Sequence, residues 1–208
     1  MRASAIIPAY NEENRIGTVL KAVEGHPFII EVIVVNDGSQ DDTAEEVSNY
    51  RVKLVDLPEN KGKAEAIKVG LSYCSGEYII MLDADLIGLR HQHISALLEP
   101  LEDDHMDMTL GIFKGGRLIT DLAQKIAPNL SGQRAMKASL IQDVLQLDTE
   151  GYSLEMALSR LIKDKQLKVQ RVLLENISHV TKEEKLGFYE GTKWRMKMYK
   201  DILKYWFN

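Results

Sequence analysis

The chain has 208 residues, of which 45% are hydrophobic and 27% charged, and its formal net charge is −5. This composition is typical of a folded globular protein and excludes a fibrous or a disordered chain. The excess of acidic residues argues against bulk affinity for nucleic acid, so we expect no nucleic-acid partner. The single cysteine, Cys74, excludes an intrachain disulfide bond and a cysteine-rich zinc site.

Length and hydropathy predict one domain followed by a tail. At about 150 residues per domain, we expect a domain over residues 1–181 and a helical tail over residues 182–208. No apolar stretch reaches the ~18 residues of a membrane-spanning helix. The apolar run at residues 3–7 is too short for a signal peptide. The simplest prediction is therefore a cytoplasmic location.

In chain order, strands and helices alternate through the first half. Four apolar strands are predicted at residues 3–7, 31–35, 52–57 and 78–82, and Pro8 is expected to end the first of them. Helical patterns follow the first three strands, through Val23, from Asp41 onward and over residues 62–75. This alternation predicts an α/β fold in which a mainly parallel sheet is flanked by helices.

The pattern is less regular after residue 85. Helices are predicted over residues 91–101, 117–127 and 151–163, and strands over residues 106–113 and 167–174. Pro128 and Gly132 mark a break in the chain. The sequence has no internal repeat, which argues against a repeat architecture.

The fourth predicted strand ends on two carboxylates, Asp83 and Asp85, with Ala84 between them. Open α/β sheets bind ligands beyond the carboxyl ends of their strands. Two acids at that position suit a hard divalent cation that also holds a diphosphate. For this tripeptide alone, an ordinary acidic turn is the alternative.

Polar clusters also follow the other three strands. They are Pro8-Ala9-Tyr10-Asn11-Glu12, Asn36-Asp37-Gly38-Ser39 and Lys61-Gly62-Lys63. In a parallel sheet such ends lie along one edge, which predicts a binding cleft there. Asp37 is expected to accept a hydrogen bond from a base or a ribose. Lys61 and Lys63 stand next to a helix start and suit a phosphate.

These four segments, in this order, resemble the motifs of glycosyltransferase family 2, the inverting enzymes with a GT-A fold. The resemblance implies a nucleotide-sugar donor, usually a UDP-sugar, bound by residues 1–100, with the acceptor side in residues 101–181. It implies donor contacts from Pro8, Ala9, Tyr10, Glu12, Asp37, Gly38, Lys61, Lys63, Asp83 and Ala84. The acid pair resembles the family's DXD motif. That likeness implies Mg²⁺ or Mn²⁺ on Asp85, with Asp83 nearer to the ribose or sugar as a catalytic residue.

Later segments are spaced like motifs of glucosyl-3-phosphoglycerate synthases, which are retaining GT-A enzymes. The segments are residues 128–134, 151–155 and 177–179. The resemblance implies that a loop ending at Arg134 borders donor and acceptor, that Glu155 lines the reaction centre, and that His179 is a further metal ligand. The turn at residues 36–39 is nearer to the family 2 form, so inversion and retention both stay open.

Three of these residues also have ordinary explanations. Glu155 stands at a predicted helix start, where acids are common; as a catalytic residue it is the general base of an inverting enzyme, or it orients acceptor or sugar in a retaining one. His179 follows a late strand and is predicted to join Asp85 on the metal, whereas a lone histidine is often structural. Arg134 is predicted to contact a diphosphate or a phosphorylated acceptor, with a solvated cation as the alternative.

The tail at residues 182–208 places lysines beside aromatic residues, for example Lys197, Lys204 and Tyr205. Two interpretations are open. The tail packs on the domain or on a second subunit in a homodimer, or it lies on a membrane surface as a peripheral contact.

The sequence therefore favours a metal-dependent glycosyltransferase that moves a sugar from a UDP-sugar to an unidentified acceptor. The acceptor classes are a small hydroxylated or phosphorylated molecule and a lipid phosphate. A non-catalytic sugar-nucleotide binding module and a sugar-phosphate nucleotidyltransferase are the alternatives. Against the nucleotidyltransferase, the first strand does not lead into a glycine-rich phosphate loop that carries an arginine.

Overall fold

The computed structural model describes residues 1–114, 131–149 and 153–179. The predicted helix at residues 117–127, the predicted tail at residues 182–208, and residues 128–130 and 151–152 of the later motifs lie outside these ranges. Both interpretations of the tail therefore stay predictions. Among the helices of the described ranges, none has the length and apolar character needed to cross a bilayer.

The described residues form nine strands and eight helices. The strands are β1 Ala3–Ala9, β2 Ile29–Asn36, β3 Lys53–Asp56, β4 Tyr78–Met81, β5 Leu86–Ile87, β6 Met108–Lys114, β7 Arg134–Lys137, β8 Val169–Glu175 and β9 Ser178–His179. The α-helices are α1 Ile16–Val23, α2 Thr43–Ser48, α3 Lys63–Leu71, α4 His91–Leu98, α5 Ile141–Leu145 and α6 Leu154–Asp164. Short 3-10 helices span Glu99–Glu102 and Ala138–Leu140.

Seven of the strands form one sheet in the order β3-β2-β1-β4-β7-β6-β8. The pairs β3-β2, β2-β1, β1-β4 and β6-β8 are parallel, and β7 runs antiparallel to both of its neighbours. The predicted mainly parallel α/β sheet is confirmed. The antiparallel strand β7 was not predicted, since residues 131–134 were assigned to a loop.

The prediction that Pro8 ends the first strand is wrong. β1 continues to Ala9, and Pro8 pairs with Val35 of β2. The amide of Leu82 donates to the carbonyl of Ile6, so Ile6 faces β4, and Pro8, two residues later, faces the same side. β4 ends at Met81 opposite Ile6. Pro8 has no amide hydrogen, and β4 has already ended on the side that Pro8 faces. The proline therefore costs the sheet no hydrogen bond.

The hydrophobic core has two layers, one on each face of the sheet. Ile7 and Ile80 belong to a cluster with α1 and α4, whereas Ile6, Ile79 and Met81 belong to a cluster with α3, α5 and α6. Alternate residues of a strand point to opposite faces. The continuous apolar character of β1 and β4 therefore follows from their position in the middle of a sheet that is covered on both sides.

Several predicted helix boundaries need correction. α1 begins at Ile16 instead of at residues 11–13, because Asn11 has a φ of 56°, outside the helical region. α3 ends at Leu71, so Cys74 lies beyond it; burial raises the pKa of its thiol to about 12 and leaves it protonated at neutral pH. α6 begins at Leu154 because Ser153 is its N-cap, accepting a hydrogen bond from the amide of Met156.

Candidate active site

The carboxyl ends of the four parallel strands lie side by side at one edge of the sheet. Ala9 pairs with Asn36, and Asn36 pairs with Asp56. On the other side of β1, Ile6 pairs with Met81, two residues before Asp83. The polar segments that the sequence places after these strands therefore share one edge, as expected for a ligand cleft in an open α/β sheet.

Asp37 joins the segment after β2 to the segment after β3. Its Oδ1 accepts from the amide of Lys61 at 2.7 Å, and its Oδ2 accepts from the amide of Gly62 at 2.9 Å. Gly38 has a φ of 68°, and a Cβ there would lie 2.5 Å from the carbonyl carbon of Glu59. Asp37 is only 3% exposed. Both of its carboxylate oxygens already hold the backbone, so its first task is to shape the loop that carries the two lysines.

The predicted donor residues near the end of β1 differ in exposure. Ala9 is buried and Pro8 is half-buried, whereas Tyr10 is 43% exposed. Glu12 is buried, its Oε2 accepts from Arg15 at 2.7 Å, and its backbone amide donates to Oγ1 of Thr43. Tyr10 is therefore the member of this group that offers an accessible aromatic surface.

Lys63 joins the two predicted catalytic acids. Its Nζ lies 2.7 Å from Oδ1 of Asp83 and 2.9 Å from Oε1 of Glu155. The three side chains come from the first turn of α3, the segment after β4 and the first turn of α6. Glu155 is 92 residues from Lys63 in sequence. The fold thus brings α6, from the second half of the chain, onto the strand-end edge of the first half.

Charge and burial oppose each other in this cluster. Burial alone raises the pKa of Glu155, but the charge and hydrogen bond of Lys63, with a further contribution from Arg134, lower it to about 2. Asp83 behaves alike: burial raises its pKa, and Lys63 outweighs burial and lowers it. The pKa of Lys63 is raised because the two acids outweigh its own burial. Both acids are therefore ionised, and Lys63 charged, at neutral pH.

Gln133 is a residue that the sequence interpretation missed. Its side-chain Nε2 donates to Oδ2 of Asp83 at 2.6 Å, and its Oε1 accepts from the backbone amide of Asp83 at 3.0 Å. Gln133 is 1% exposed. This double hydrogen bond fixes both the backbone and the carboxylate of Asp83. The available signal was a pair of polar residues, Gln133 and Arg134, before the apolar residues 135–136. The assignment of residues 131–134 to a loop obscured it.

Gly132 provides the space in which Asp83 and Lys63 meet. A Cβ at this position would lie 2.7 Å from Oδ2 of Asp83 and 2.8 Å from Nζ of Lys63. A Cβ at these distances would push the carboxylate of Asp83 and the ammonium group of Lys63 apart.

We therefore expect Gly132→Ala to lower the free energy of unfolding by ~1–3 kcal/mol and to weaken transfer activity. Urea denaturation and a kinetic assay measure the two effects. Wild-type values in both measurements would contradict the close approach of Gly132 to the ion pair.

Arg134 lies in strand β7, not in a loop as predicted. It is 1% exposed, and its guanidinium donates to the carbonyl of Ser131. Burial lowers its pKa to about 10, and the nearby charges of Glu155 and Asp83 oppose that shift. The arginine therefore remains charged beneath the two acids. The predicted contact of Arg134 with a diphosphate or an acceptor is untested.

The backbone brings the two predicted metal ligands together from distant parts of the chain. Asp85 directly precedes β5, which pairs antiparallel with β9, and Leu86 is opposite His179. A carboxylate and an imidazole form a suitable donor set for Mn²⁺ or Mg²⁺ when phosphate oxygens complete the shell. Within the described residues, no group of three or more acidic, histidine or cysteine side chains forms a complete site. The roles of Asp85 and His179 as metal ligands therefore stay predictions.

Comparison with known sequences places the chain among glycosyltransferases. The family model described as glycosyl transferase family 2 matches residues 4–161. A dolichyl-phosphate beta-glucosyltransferase of Trichomonas vaginalis is 43% identical over 94 residues, which cover 38% of this chain and 28% of that protein. An uncharacterized protein of Methanocaldococcus jannaschii is 30% identical over 238 aligned residues, which cover 98% of both. The chain thus spans less than a third of the length of the dolichyl-phosphate enzyme.

Solved structures resemble the chain over most of its length. A glucosyl-3-phosphoglycerate synthase of Mycobacterium tuberculosis, in complex with phosphoglyceric acid, is 25% identical with a TM-score of 0.74, covering 86% of this chain and 72% of that one. The same enzyme in complex with Mn²⁺, UDP and glucosyl-3-phosphoglycerate gives a TM-score of 0.73. These neighbours confirm the predicted GT-A fold. Because the family model covers well over half of the residues, the chain belongs to glycosyltransferase family 2.

Proposed function

We propose that this protein is a metal-dependent glycosyltransferase that moves a sugar from a UDP-sugar to a phosphorylated acceptor. The observation that carries the proposal is the cluster in which Lys63 joins Asp83 and Glu155. It unites the donor side and the acceptor side of the chain at the sheet edge where α/β proteins bind ligands. Family membership supports the reaction class.

The donor assignment draws support from the site and from the structural neighbours. The Mycobacterium tuberculosis synthase binds UDP-glucose together with Mn²⁺. In this chain, Tyr10, Asp37 and Lys61 follow the carboxyl ends of β1, β2 and β3. Tyr10 presents an exposed ring on which a base can stack. Lys61 is exposed next to the first turn of α3, where a diphosphate is favoured.

Asp85 and His179 are the residues that would hold Mg²⁺ or Mn²⁺. Their backbone segments are joined by the pairing of β5 with β9. When bound, the cation supplies charge that stabilises the departing diphosphate. Asp83 is assigned a different role, because Lys63 and Gln133 already fix its carboxylate. We expect this carboxylate to accept hydrogen bonds from hydroxyl groups of the ribose or sugar.

Glu155 is better suited to orienting a substrate than to removing a proton. A general base works best when its pKa is near the operating pH, whereas Lys63 holds the pKa of Glu155 to about 2. Glu155 would become a stronger base only if Lys63 left it for a phosphate of the donor. We therefore assign Glu155, while it is paired with Lys63, to orienting the acceptor or the sugar; inversion and retention of configuration both stay open.

The acceptor class rests on two similar proteins. One is named for dolichyl phosphate, and the other binds phosphoglyceric acid. Both acceptors carry a phosphate, one on a lipid and the other on a small organic acid. A phosphorylated acceptor is the chemistry they share, so it is the class we propose here.

A transfer assay tests the proposal. Purified protein is incubated with radiolabelled UDP-glucose, Mn²⁺ and either phosphoglyceric acid or a short-chain polyprenyl phosphate, and labelled product is separated from donor. We expect transfer to at least one acceptor and loss of transfer when EDTA removes the metal. Binding of UDP-glucose without transfer to any member of a wider acceptor panel would instead support the non-catalytic module. Release of pyrophosphate from UTP and a sugar phosphate would support the nucleotidyltransferase.

Thermal shift provides an independent test of the donor. A ligand that binds only the folded state raises the melting temperature by mass action. We expect UDP and UDP-sugars to do so in the presence of Mn²⁺, and adenosine nucleotides to do so less. No metal-dependent shift with any uridine nucleotide would contradict the proposed donor.

A further inference from the structure

His93 is a buried histidine that the proposed chemistry does not use. It is 4% exposed and lies in the first turn of α4. Its Nδ1 accepts from the backbone amide of Arg90 at 3.1 Å, and its Nε2 lies 3.1 Å from the carbonyl oxygen of Glu175. A backbone amide only donates and a carbonyl only accepts. The ring therefore carries its proton on Nε2 and donates it to Glu175.

These two hydrogen bonds join the connections that flank the small β5-β9 sheet. Arg90 closes the three-residue link, residues 88–90, between β5 and α4. Glu175 ends β8 and precedes the two-residue link, residues 176–177, that leads into β9. One imidazole thus anchors the exit of β5 and the entry of β9. Because the links are this short, the position of His93 constrains the pairing of the two strands.

The close packing of the two links is an independent observation. Gly88 has a φ of 81°, and a Cβ there would lie 2.4 Å from the carbonyl oxygen of Asn176. Asn176 itself has a φ of 57°. Ile177 is buried in the same hydrophobic cluster as Leu86. The two links therefore meet in a tight seam with no room for a side chain at residue 88.

The chemistry of the ring agrees with this role. Burial lowers the pKa of His93, and the nearby charge of Arg90 lowers it further, while the hydrogen bond to Glu175 acts in the opposite direction. The imidazole is therefore neutral at pH 7. Only a neutral imidazole can accept a hydrogen bond at one ring nitrogen and donate one at the other.

We propose that His93 is a positioning residue for the metal site, which holds β9 against β5 and so keeps residue 179 opposite Leu86, next to Asp85. The inference rests on the proposed metal role of Asp85 and His179. His93 acts on the two strands through Arg90 and Glu175, to which it is hydrogen-bonded. Removal of a group that hydrogen-bonds directly to a metal ligand changes metal affinity by ~10–100-fold; His93 acts one contact further away, so we expect the lower end of that range.

Two substitutions separate the contacts of the ring. In His93→Asn, the side-chain oxygen can still accept from the amide of Arg90, but the side chain is too short to donate to Glu175. In His93→Gln, the amide nitrogen reaches the position of Nε2 and can still donate to Glu175. We expect the dissociation constant of Mn²⁺, measured in the presence of UDP by electron paramagnetic resonance of free Mn²⁺, to rise ~10-fold in His93→Asn. It should rise no more than ~3-fold in His93→Gln.

His26→Asn is the matched control. His26 is 3% exposed, its Nδ1 accepts from the amide of Phe28, and its Nε2 contacts Oγ of Ser95 in α4. Like His93 it is a buried histidine whose Nδ1 accepts from a backbone amide, and its ring also packs edge-on against His91 of α4. Its hydrogen bonds involve neither Arg90 nor Glu175. His26→Asn should lower the melting temperature as His93→Asn does, and leave Mn²⁺ affinity unchanged.

Hydrogen exchange in the metal-free proteins reports on the strand pair directly. The amides of β5 and β9 should exchange faster in His93→Asn than in wild type and in His26→Asn. If His93→Asn does not fold, His93→Gln is used instead. It has lost the contact with Arg90, so the β5 amides should exchange faster than in wild type and in His26→Asn, and wild-type exchange there would overturn the inference.

The outcomes distinguish this inference from the proposed function. Wild-type Mn²⁺ affinity in His93→Asn, while wild type itself binds Mn²⁺, would overturn the role of His93 and leave the function intact. Equal weakening in His93→Asn and His26→Asn would also overturn it, because general destabilisation would then be the cause. If wild type binds no Mn²⁺ in the presence of UDP, the proposed metal site fails and this inference fails with it.

Discussion

Replacement of Asp85 by alanine is expected to lower kcat/KM for sugar transfer by about 10³-fold. A bound cation supplies several kcal/mol of charge stabilisation to a departing diphosphate, and Asp85 is the carboxylate proposed to hold it. The measurement is a transfer assay at saturating Mn²⁺, together with the Mn²⁺ dependence of UDP binding. We expect the metal-dependent increase in UDP affinity to disappear in the variant.

Glu102→Ala is a suitable control for Asp85→Ala. Glu102 is an exposed acid in the 3-10 helix after α4, and its removal changes the net charge by the same amount. We expect its kinetics to match wild type. Activity of Asp85→Ala within a few-fold of Glu102→Ala would contradict a metal role for Asp85.

Replacement of Lys63 by methionine is expected to destabilise the fold and abolish most activity. Asp83 and Glu155 would then be left as two partly buried negative charges without their shared cation. Loss of one partner from a fully buried ion pair costs ~3–5 kcal/mol. The side chain of Lys63 is 38% exposed, so solvent screening reduces the effect, and we expect a loss of ~2 kcal/mol in the free energy of unfolding at pH 7.

The pH dependence of this loss follows from the direction of the pKa shifts. The folded-state pKa of Glu155 is lowered from 4.5 to about 2, and that of Asp83 is lowered from 3.8. The stability that they contribute in wild type is fully present above about pH 4.5 and is lost as the pH falls toward 2. In Lys63→Met the acids lack their cation and take up protons more readily. The gap in the free energy of unfolding between wild type and variant should therefore narrow as the pH is lowered from 7 to 3.

Urea denaturation at several pH values measures that gap, with Lys61→Met as the stability control. Lys61 is an exposed lysine two residues away, and its contact with Asp37 uses the backbone amide, which the substitution retains. Its stability should stay within ~0.5 kcal/mol of wild type. A difference between wild type and Lys63→Met that does not change with pH would contradict the proposed charge interactions.

Lys63 also illustrates how far a sequence motif defines a role. The motif predicted a lysine near a helix start that contacts a phosphate. In the structure its Nζ contacts Asp83 and Glu155. Both can hold in turn, since a diphosphate that arrives at the edge of the sheet competes with the two acids for the same cation. Whether Lys63 binds the diphosphate or the two acids depends on charges that folding brings together. Those charged residues are far apart in sequence.

The strand-end pattern alone was sufficient to predict the sheet edge. Apolar strands followed by Pro8-Ala9-Tyr10, Asn36-Asp37-Gly38 and Asp83-Ala84-Asp85 each carry local signals, because strand periodicity and turn residues act over a few positions. These signals placed the α/β fold and the shared edge of the strand ends correctly. They were less reliable at boundaries. Pro8 was expected to end β1. The strand continues because β4 stops at Met81, so no neighbouring strand needs a hydrogen bond from the amide that proline lacks.

Local sequence patterns were therefore enough to predict the α/β fold, its likeness to family 2 and the edge where the candidate residues gather. The neighbours of those residues depend on tertiary packing. Gln133 binds both the amide and the carboxylate of Asp83, Gly132 lies against the ion pair, and His93 joins the exit of β5 to the entry of β9. Local patterns depend on backbone propensity over a few residues. Contacts between residues 50 or more apart depend on how the helices and strands pack, and the sequence pattern does not encode that packing locally.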